Sequence, residues 1–172
     1  MGRIVVTGMG IITAIGNNPA ENLSALKDRR HGVGPIRFLE TTLRDELPVG
    51  EIRLSNEDLA EIAEIADPEY YTRTSLLGII AAKQAFQSGI AQYGIHDQSR
   101  TVLVSSTTVG GMDKTERFYL DYIDNDMYSR FVHTHNCADS TMRISDKLGL
   151  RNRNTTISTA CSSSLNSILF CT

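Results

Sequence analysis

The segment from Thr72 to Ile90 constrains the fold of this chain more than any other part of the sequence. Its apolar residues recur at helical spacing, yet they cover nearly the whole circumference of the predicted helix instead of one face. These residues are Leu76, Leu77, Ile79, Ile80, Ala81, Ala82, Ala85 and Phe86. A helix with this pattern needs neighbours on most sides. The pattern therefore predicts a central helix around which the rest of a domain packs.

Three short runs rich in β-branched residues predict buried strands, at 3–7, 101–105 and 154–160. A further brief strand is predicted at 49–54. The first two runs lead into glycines, and the third is expected to end at Cys161, where a helix should start. Strands that alternate with helices predict an α/β domain, with a largely parallel sheet and flanking helices.

Helix starts are marked by residues that cap free backbone N–H groups. Asn18 followed by Pro19 predicts one helix, and a capping box at Ser55 predicts a second, with Leu59, Ile62 and Ile65 on its inner side. Further helices are predicted at 112–123 and 138–148, and the segment 29–48 has the composition of a loop.

Composition limits the classes of function that need to be considered. The chain has 172 residues, 41% of them hydrophobic and 22% charged, which is typical of one globular domain. A net charge of −3 provides no general basic surface for nucleic acid. No apolar run approaches the roughly 18 residues of a membrane span. The apolar start of the chain is interpreted as a strand, not a signal peptide, and a cytoplasmic location is expected.

Two motifs that suggest bound groups fail on closer inspection. The pair Gly8 and Gly10 follows a predicted strand, but a dinucleotide-binding turn needs a third glycine at position 13, where Thr13 stands. A tight structural turn is the preferred interpretation. The three cysteines, Cys137, Cys161 and Cys171, match no metal-binding spacing and are expected to be free thiols. The sequence thus predicts no metal and no cofactor.

Cys161 stands out because of its predicted place between a strand and a helix. Unpaired backbone N–H groups and the helix dipole concentrate positive potential there, which favours a thiolate. The same N–H groups can stabilise the negative oxygen of a tetrahedral intermediate. Small residues flank the cysteine in STACSSS and leave room for a substrate. A buried structural cysteine is the alternative interpretation at this point.

Three motifs extend these observations. STACSSS resembles the active-site signature of the β-ketoacyl-[acyl-carrier-protein] synthases, IVVTGMGIITAIGN resembles the opening strand and loop of that family, and VSSTTVGG is similar to its strand and glycine turn. The resemblance implies a thiolase-type fold, in which two similar α/β halves form an α-β-α-β-α sandwich. This chain would supply the N-terminal half.

The resemblance also implies a site and a reaction. Cys161 would be the acyl-accepting nucleophile, its backbone N–H would be one oxyanion donor, and Val109 would line the acyl pocket. An acyl group would pass from acyl carrier protein to Cys161. A decarboxylating Claisen condensation with malonyl-carrier protein would follow, in fatty-acid or polyketide synthesis. The implied partners are the carrier protein, acyl and malonyl thioesters, and a second copy in a homodimer.

The family's condensation step uses two histidines, which the resemblance places beyond residue 172. The histidines present are in no similar context and are predicted to be surface or loop residues; they are His31, His96, His133 and His135. We therefore expect residues 1–172 to be an N-terminal β-ketoacyl synthase domain, truncated just after the helix of Cys161 begins. Such a chain would be inactive in condensation by itself and marginally stable.

Other interpretations remain open. The chain could be a non-catalytic partner subunit similar to a chain length factor. Such subunits resemble ketosynthases but have another residue in place of the cysteine, so Cys161 argues against this alternative. A hydrolase is disfavoured because the chain has no GxSxG motif. The region 112–136 resembles the dimer-contacting insertion of the family, but a locally packed surface excursion fits its aromatic residues equally well. These are Phe118, Tyr119, Tyr122, Tyr128 and Phe131.

Overall fold

The computed structural model describes residues 4–94, 100–125 and 129–171, and the side chains of 129 and 130 are outside this description. Within these ranges the helices are α1 (Pro19–Lys27), α2 (Asn56–Ala63), α3 (Arg73–Tyr93), α4 (Met112–Asn125), α5 (Ser129–Val132), α6 (Cys137–Leu148) and α7 (Ser163–Phe170). The strands are β1 (Leu103–Ser106) and β2 (Asn154–Ile157). Short 3₁₀ turns lie at Pro68–Tyr70, His133–His135 and Ala160–Ser162.

The chain divides into two compact units. The first, which we call the strand unit, consists of Met1–Val5, Ala66–Ile79 and His96–Thr172. The second, which we call the helical unit, consists of Val6–Ile65 and Ile80–Ile95. Both strands belong to the first unit, whereas α1 and α2 belong to the second.

The strand unit is built on a parallel pair of strands. Leu103 of β1 lies opposite Asn154 of β2, and the register continues to Ser106 opposite Ile157. The chain between them forms α4, α5 and α6, and both α6 and α7 pack against the two strands. This crossover connection confirms the α/β class with parallel pairing. The buried apolar side chains of the unit are Leu76, Ile79, Phe131, Ile144 and Leu150.

The predicted central helix is confirmed as α3. No residue from Arg73 to Phe86 is exposed, and Leu76 and Ile79 are fully buried. Thr72 caps its start, because the Thr72 hydroxyl accepts a hydrogen bond from the Ser75 N–H at 3.2 Å. Neighbours on most sides are what its apolar circumference requires.

The helical unit confirms both predicted helix caps. The Asn18 side chain accepts from the Glu21 N–H at 3.0 Å, at the start of α1. At α2 the Ser55 hydroxyl accepts from the Asp58 N–H at 3.0 Å, and the Asp58 carboxylate accepts from the Ser55 N–H at 2.8 Å. The inner face of α2 differs from the prediction, however. Leu59 is buried beside two alanines, but Ile62 is 44% exposed.

The glycines at 8 and 10 make a close approach to a helix and do not form the expected tight turn. A side chain at Gly10 would collide with the carbonyl oxygen of Ala81 in α3, and one at Gly8 would collide with that of Ala85. Neither glycine has a left-handed conformation. Glycine is needed here because any Cβ would push the segment away from α3.

Two predicted strands are absent from the described residues. Residues 4–7 join neither β1 nor β2, and Ile4, Val5 and Val6 are 66, 70 and 84% exposed. At 49–54 only an isolated bridge between Gly34 and Val49 forms. A β-branched run becomes a strand only when a neighbouring strand satisfies its backbone groups. Here β1 and β2 pair with each other instead.

The lengths of the helices also bear on membranes. Among the residues that the structure describes, no helix combines the length and the apolar composition that a bilayer span requires.

Candidate functional site

The parallel strands place two turns side by side. β1 ends at Ser106 and β2 ends opposite it at Ile157, so the segments that follow emerge at the same edge. We call residues 107–111 the glycine turn and residues 158–162 the cysteine turn. The Thr108 hydroxyl joins them by donating to the Ala160 carbonyl at 3.2 Å. Val109 and Cys161 each follow one of these two bonded residues, so the structure brings the two predicted site residues into adjacent turns.

The cysteine turn has an unusual backbone. Ala160, directly before the cysteine, has a left-handed conformation with φ of 52°. Such a conformation costs about 1 kcal/mol or more for a residue with a Cβ. Ser163 supports the turn, because its buried hydroxyl donates to the Ala160 carbonyl at 2.7 Å and accepts from the Thr159 N–H at 2.9 Å. The cysteine is therefore presented by a sharp, hydrogen-bonded turn.

The helix after Cys161 starts later than predicted. Cys161 lies in the 3₁₀ turn Ala160–Ser162, and α7 begins at Ser163. The left-handed Ala160 accounts for the difference, because it reverses the chain sharply before regular helical geometry can start. The Cys161 side chain is exposed. No residue in the described part of the chain accepts a hydrogen bond from the Cys161 N–H, so this donor is available to a ligand.

A third segment, the start of α6, borders these turns. The Cys137 thiol donates to the Ser158 hydroxyl at 3.9 Å, and Asn136 caps the helix by accepting from the Ala138 N–H at 2.9 Å. Gly110, with φ of 58°, fits closely against this segment, since a Cβ there would lie 2.8 Å from the His135 carbonyl oxygen. The sequence predicts only that Cys137 is a free thiol. Nothing in its spacing indicates contact with a residue 21 positions away.

Val109 lies in the glycine turn and is 53% exposed. Its neighbour Gly110 is buried, so the turn presents the valine outward while its backbone packs inward. The role of Val109 at an acyl pocket stays a prediction.

None of the described histidines forms a hydrogen bond with Cys161. His133 and His135 are exposed in the 3₁₀ turn before α6, and neither is bonded to Cys161. His31 is exposed in the helical unit. These three positions agree with the predicted surface or loop character. His96 lies outside the described residues.

The aromatic region is locally packed on one side and open on the other. Phe118 of α4 stacks on the buried Phe131 at 4.7 Å between ring centroids. Tyr119, Leu120 and Ile123 of α4 are exposed. The first contact favours a locally packed excursion for the inner side of α4. Tyr128 lies outside the described residues.

One carboxylate close to the site has a perturbed acidity. Asp139 lies in the first turn of α6, two residues after Cys137. Burial raises the pKa of Asp139, and attraction and a hydrogen bond from Arg143 oppose this rise without cancelling it. The Arg143 Nε lies 3.4 Å from Oδ1, whereas Oδ2 is buried with no hydrogen-bond partner among the described residues. The unsatisfied Oδ2 explains why burial prevails.

The comparisons with curated proteins agree on one kind of enzyme. The 3-oxoacyl-[acyl-carrier-protein] synthase 2 proteins of Vibrio harveyi and Vibrio cholerae are each 25% identical to this chain over 169 residues. The aligned part covers 96% of this chain and 40% of each relative. The chain therefore spans about two fifths of the length of these relatives.

Solved structures share the fold at low identity. The ishigamide ketosynthase/chain length factor has a TM-score of 0.76 at 20% identity. The match covers 95% of this chain and 43% of the chain of that structure. A β-ketoacyl synthase from Burkholderia phymatum has a TM-score of 0.74 at 21% identity. The match covers 99% of this chain and 42% of the Burkholderia chain. A type II polyketide synthase ketosynthase, in complex with its acyl carrier protein, has a TM-score of 0.69 at 18% identity. The match covers 96% of this chain and 45% of the chain of that structure.

These likenesses confirm the predicted fold class, that of the N-terminal half of a thiolase-like ketosynthase. Residues 1–170, almost the entire chain, match the family described as Beta-ketoacyl synthase, N-terminal domain. The chain belongs to the β-ketoacyl synthase family and has the fold of its N-terminal domain.

Proposed function

We propose that this chain is the N-terminal part of a 3-oxoacyl-[acyl-carrier-protein] synthase and that Cys161 accepts the acyl group. The observation that supports this most is the geometry of the cysteine turn. An exposed thiol stands at the carboxyl edge of a parallel strand pair, beside its own N–H, which has no hydrogen-bond partner among the described residues. Sites of chemistry in α/β sheets form at this edge.

The first step is a thioester exchange. The Cys161 sulfur, as thiolate, attacks the carbonyl carbon of an acyl thioester, and the C=O electron pair moves to the oxygen. The Cys161 N–H is suited to donate to that oxygen. When the intermediate collapses, the bond to the carrier's sulfur breaks and the carrier leaves as a thiolate. The acyl group remains on Cys161 as a new thioester.

The second step is decarboxylation of malonyl-carrier protein, followed by attack of the resulting enolate on the acyl thioester. This attack forms a carbon–carbon bond and releases Cys161. It requires groups that stabilise the enolate, and this chain spans only 40% of the length of the curated relatives that are named 3-oxoacyl-[acyl-carrier-protein] synthase 2. We therefore propose that these 172 residues accept an acyl group but do not complete the condensation alone.

The proposal includes acyl carrier protein as the partner, acyl and malonyl thioesters as substrates, and a homodimer in the cytoplasm. The carrier is supported by the similar ketosynthase that was solved in complex with its own acyl carrier protein. The substrates are supported by the activity in the names of the curated relatives. The exposed apolar side chains of α4 are available for a contact between copies.

Intact-mass spectrometry after incubation with an acyl thioester tests the acylation step. We expect one adduct with the mass of the acyl group minus one hydrogen, located on Cys161 by peptide mapping. Cys161→Ala should abolish it. Cys137→Ala and Cys171→Ala remove the other two thiols and should leave it unchanged. An adduct that persists in Cys161→Ala, or moves to Cys171, would refute the assignment.

A non-catalytic partner subunit is the second candidate. It is favoured by the structural likeness to a protein that includes a chain length factor. A folded chain that forms no adduct on Cys161, yet assembles with an active ketosynthase, would support this alternative.

A further inference from the structure

A cluster of basic side chains lines one concavity of the helical unit. Arg29, Arg30, His31 and Arg53 are exposed and line an open concavity of about 430 Å³. The wall is completed by Ala14, Ile15 and Gly32. None of these residues belongs to the cysteine turn or to the glycine turn. We call this concavity the arginine pocket.

The charge of the pocket is largely unneutralised. Arg30 has a partner, because its Nε lies 3.6 Å from a carboxylate oxygen of Asp28. Within the described part of the chain, Arg29 and Arg53 form no ion pair. Two exposed arginines without an ion-pair partner among the described residues therefore line the same concavity, in a chain whose net charge is −3. Like charges that line one concavity repel each other, and a bound anion reduces that repulsion.

Arg29 has a left-handed backbone conformation, which is unfavourable for a residue with a side chain. After α1 the Arg30 N–H donates to the Ala25 carbonyl at 2.8 Å, and the Arg29 N–H donates to the Leu26 carbonyl at 3.2 Å. This is the Schellman arrangement, whose left-handed position usually holds glycine. Here that position is Arg29, with φ of 54°. A glycine would fit the backbone better, so the arginine stands here against the local conformational preference.

The shape and donors of the pocket fit a phosphoryl group. A guanidinium presents planar, forked N–H donors that match the oxygens of phosphate, and several forks can bind one multiply charged anion. The volume is in the range of small-molecule sites, and it exceeds what a single ion needs. The apolar Ala14 and Ile15 provide contact for the rest of such a molecule.

We propose that the arginine pocket binds a phosphorylated small molecule through Arg29 and Arg53. The assignment does not depend on the proposed acyltransferase activity, because it uses no residue of that site. It names a second binding site in the same chain, for a ligand with at least two negative charges.

Isothermal titration calorimetry with inorganic pyrophosphate tests the site, on the full 172-residue chain. We expect saturable binding at one site, weakened at least about tenfold in Arg29→Gly and in Arg53→Gln, as loss of a charge-assisted hydrogen bond predicts. Arg37→Gln makes the same change in charge at an exposed arginine of the same unit outside the pocket. It should leave the affinity unchanged.

Arg29→Gly separates loss of binding from loss of folding. Because glycine suits the left-handed position, this variant should unfold at the same or a higher temperature while binding pyrophosphate more weakly. Pyrophosphate should also raise the unfolding temperature of the unmodified chain and have less effect on the variant.

Three outcomes would overturn the proposal: no saturable binding of pyrophosphate, equal weakening by Arg37→Gln, or binding of malonate or poly-glutamate as tightly as pyrophosphate. Cosedimentation with vesicles that contain phosphatidic acid distinguishes two sources of the phosphoryl group. If pyrophosphate displaces the chain from such vesicles, the phosphoryl group belongs to a lipid headgroup; if the chain binds pyrophosphate but not vesicles, it belongs to a soluble molecule.

Discussion

Asp58 and Asp139 show how one residue type acquires opposite properties from its surroundings. The pKa of Asp58 is lowered, first by the hydrogen bond from the Ser55 backbone and then by the Ser55 side chain. The pKa of Asp139 is raised, first by burial and against the attraction of Arg143. The first carboxylate is favoured by folding, whereas the second is penalised by it.

The two aspartates therefore predict opposite dependences of stability on pH. A raised carboxyl pKa stabilises the fold fully below the ordinary value of 3.8, and this contribution is lost as pH rises through the folded-state pKa. Relative to the unmodified chain, Asp139→Asn should gain free energy of unfolding as pH rises through that range. Denaturant unfolding across about pH 3 to 7 measures the difference between the two proteins.

Asp58→Asn is the matched control, with the sign reversed. The contribution of its lowered pKa is present above the ordinary value of 3.8 and is lost as pH falls through the folded-state pKa. Asp58→Asn should therefore have a lower free energy of unfolding than the unmodified chain at neutral pH, and this difference should shrink in acid. Parallel curves for the two variants would contradict the assignment of Asp139 as a carboxyl penalised by burial.

Among the elements, α2 depends most clearly on a single cap. The helix has only eight residues, and two reciprocal hydrogen bonds between Ser55 and Asp58 fix its start. A helix this short gains little from its own propensity. Ser55→Ala should lower the free energy of unfolding by about 1 kcal/mol, measured in denaturant.

Ser88→Ala is the control for this cap. It makes the same chemical change at an exposed position inside α3, where serine caps nothing. Its effect should stay within about 0.5 kcal/mol. Equal losses in both variants would show that the capping box contributes no more than an ordinary surface serine.

The elements also show what sequence alone can predict. Caps at Asn18 and Ser55 and the apolar circumference of α3 depend on neighbours within a few residues, and the structure confirms all three. The strand predicted at 3–7 was wrong for the described residues 4–7, because strand formation depends on a partner that the local pattern does not contain.

In the candidate site, too, local features were predictable from the sequence and long-range contacts were not. The motif around Cys161 indicated a turn between a strand and a helix, and β2 and α7 flank it as expected. The left-handed Ala160 and the supporting hydroxyl of Thr108 were not predictable. An alanine gives no local sign of positive φ, and Thr108 lies 52 residues from the carbonyl that it contacts.

At the scale of the whole molecule, apolar side chains remain exposed in clusters. On α7 the exposed fractions of Leu165, Ile168, Leu169 and Phe170 lie between 59 and 64%. On α4 Leu120 is 74% exposed, next to Tyr119 and Ile123. Contiguous apolar surface of this kind promotes association between protein molecules.

We therefore expect the isolated chain to self-associate as its concentration rises, which sedimentation velocity can measure. The double variant Leu165→Glu with Ile168→Glu should shift the distribution toward monomer. Ile62→Glu is the control, since no other side chain of α2 in the described chain is both apolar and exposed. A chain that is monomeric at every concentration would refute this expectation.

The parallel pairing of β1 with β2 also determines when the site can exist during folding. The Asn152 side chain and the Thr101 carbonyl that meet beside this pair are 51 residues apart in sequence. Closing so long a loop costs conformational entropy that helices such as α2 and α3 do not face, so contacts of this range form late. Thr108 reaches the cysteine turn only after this closure. We therefore expect a newly made chain to form helices such as α2 and α3 before it forms the cysteine turn.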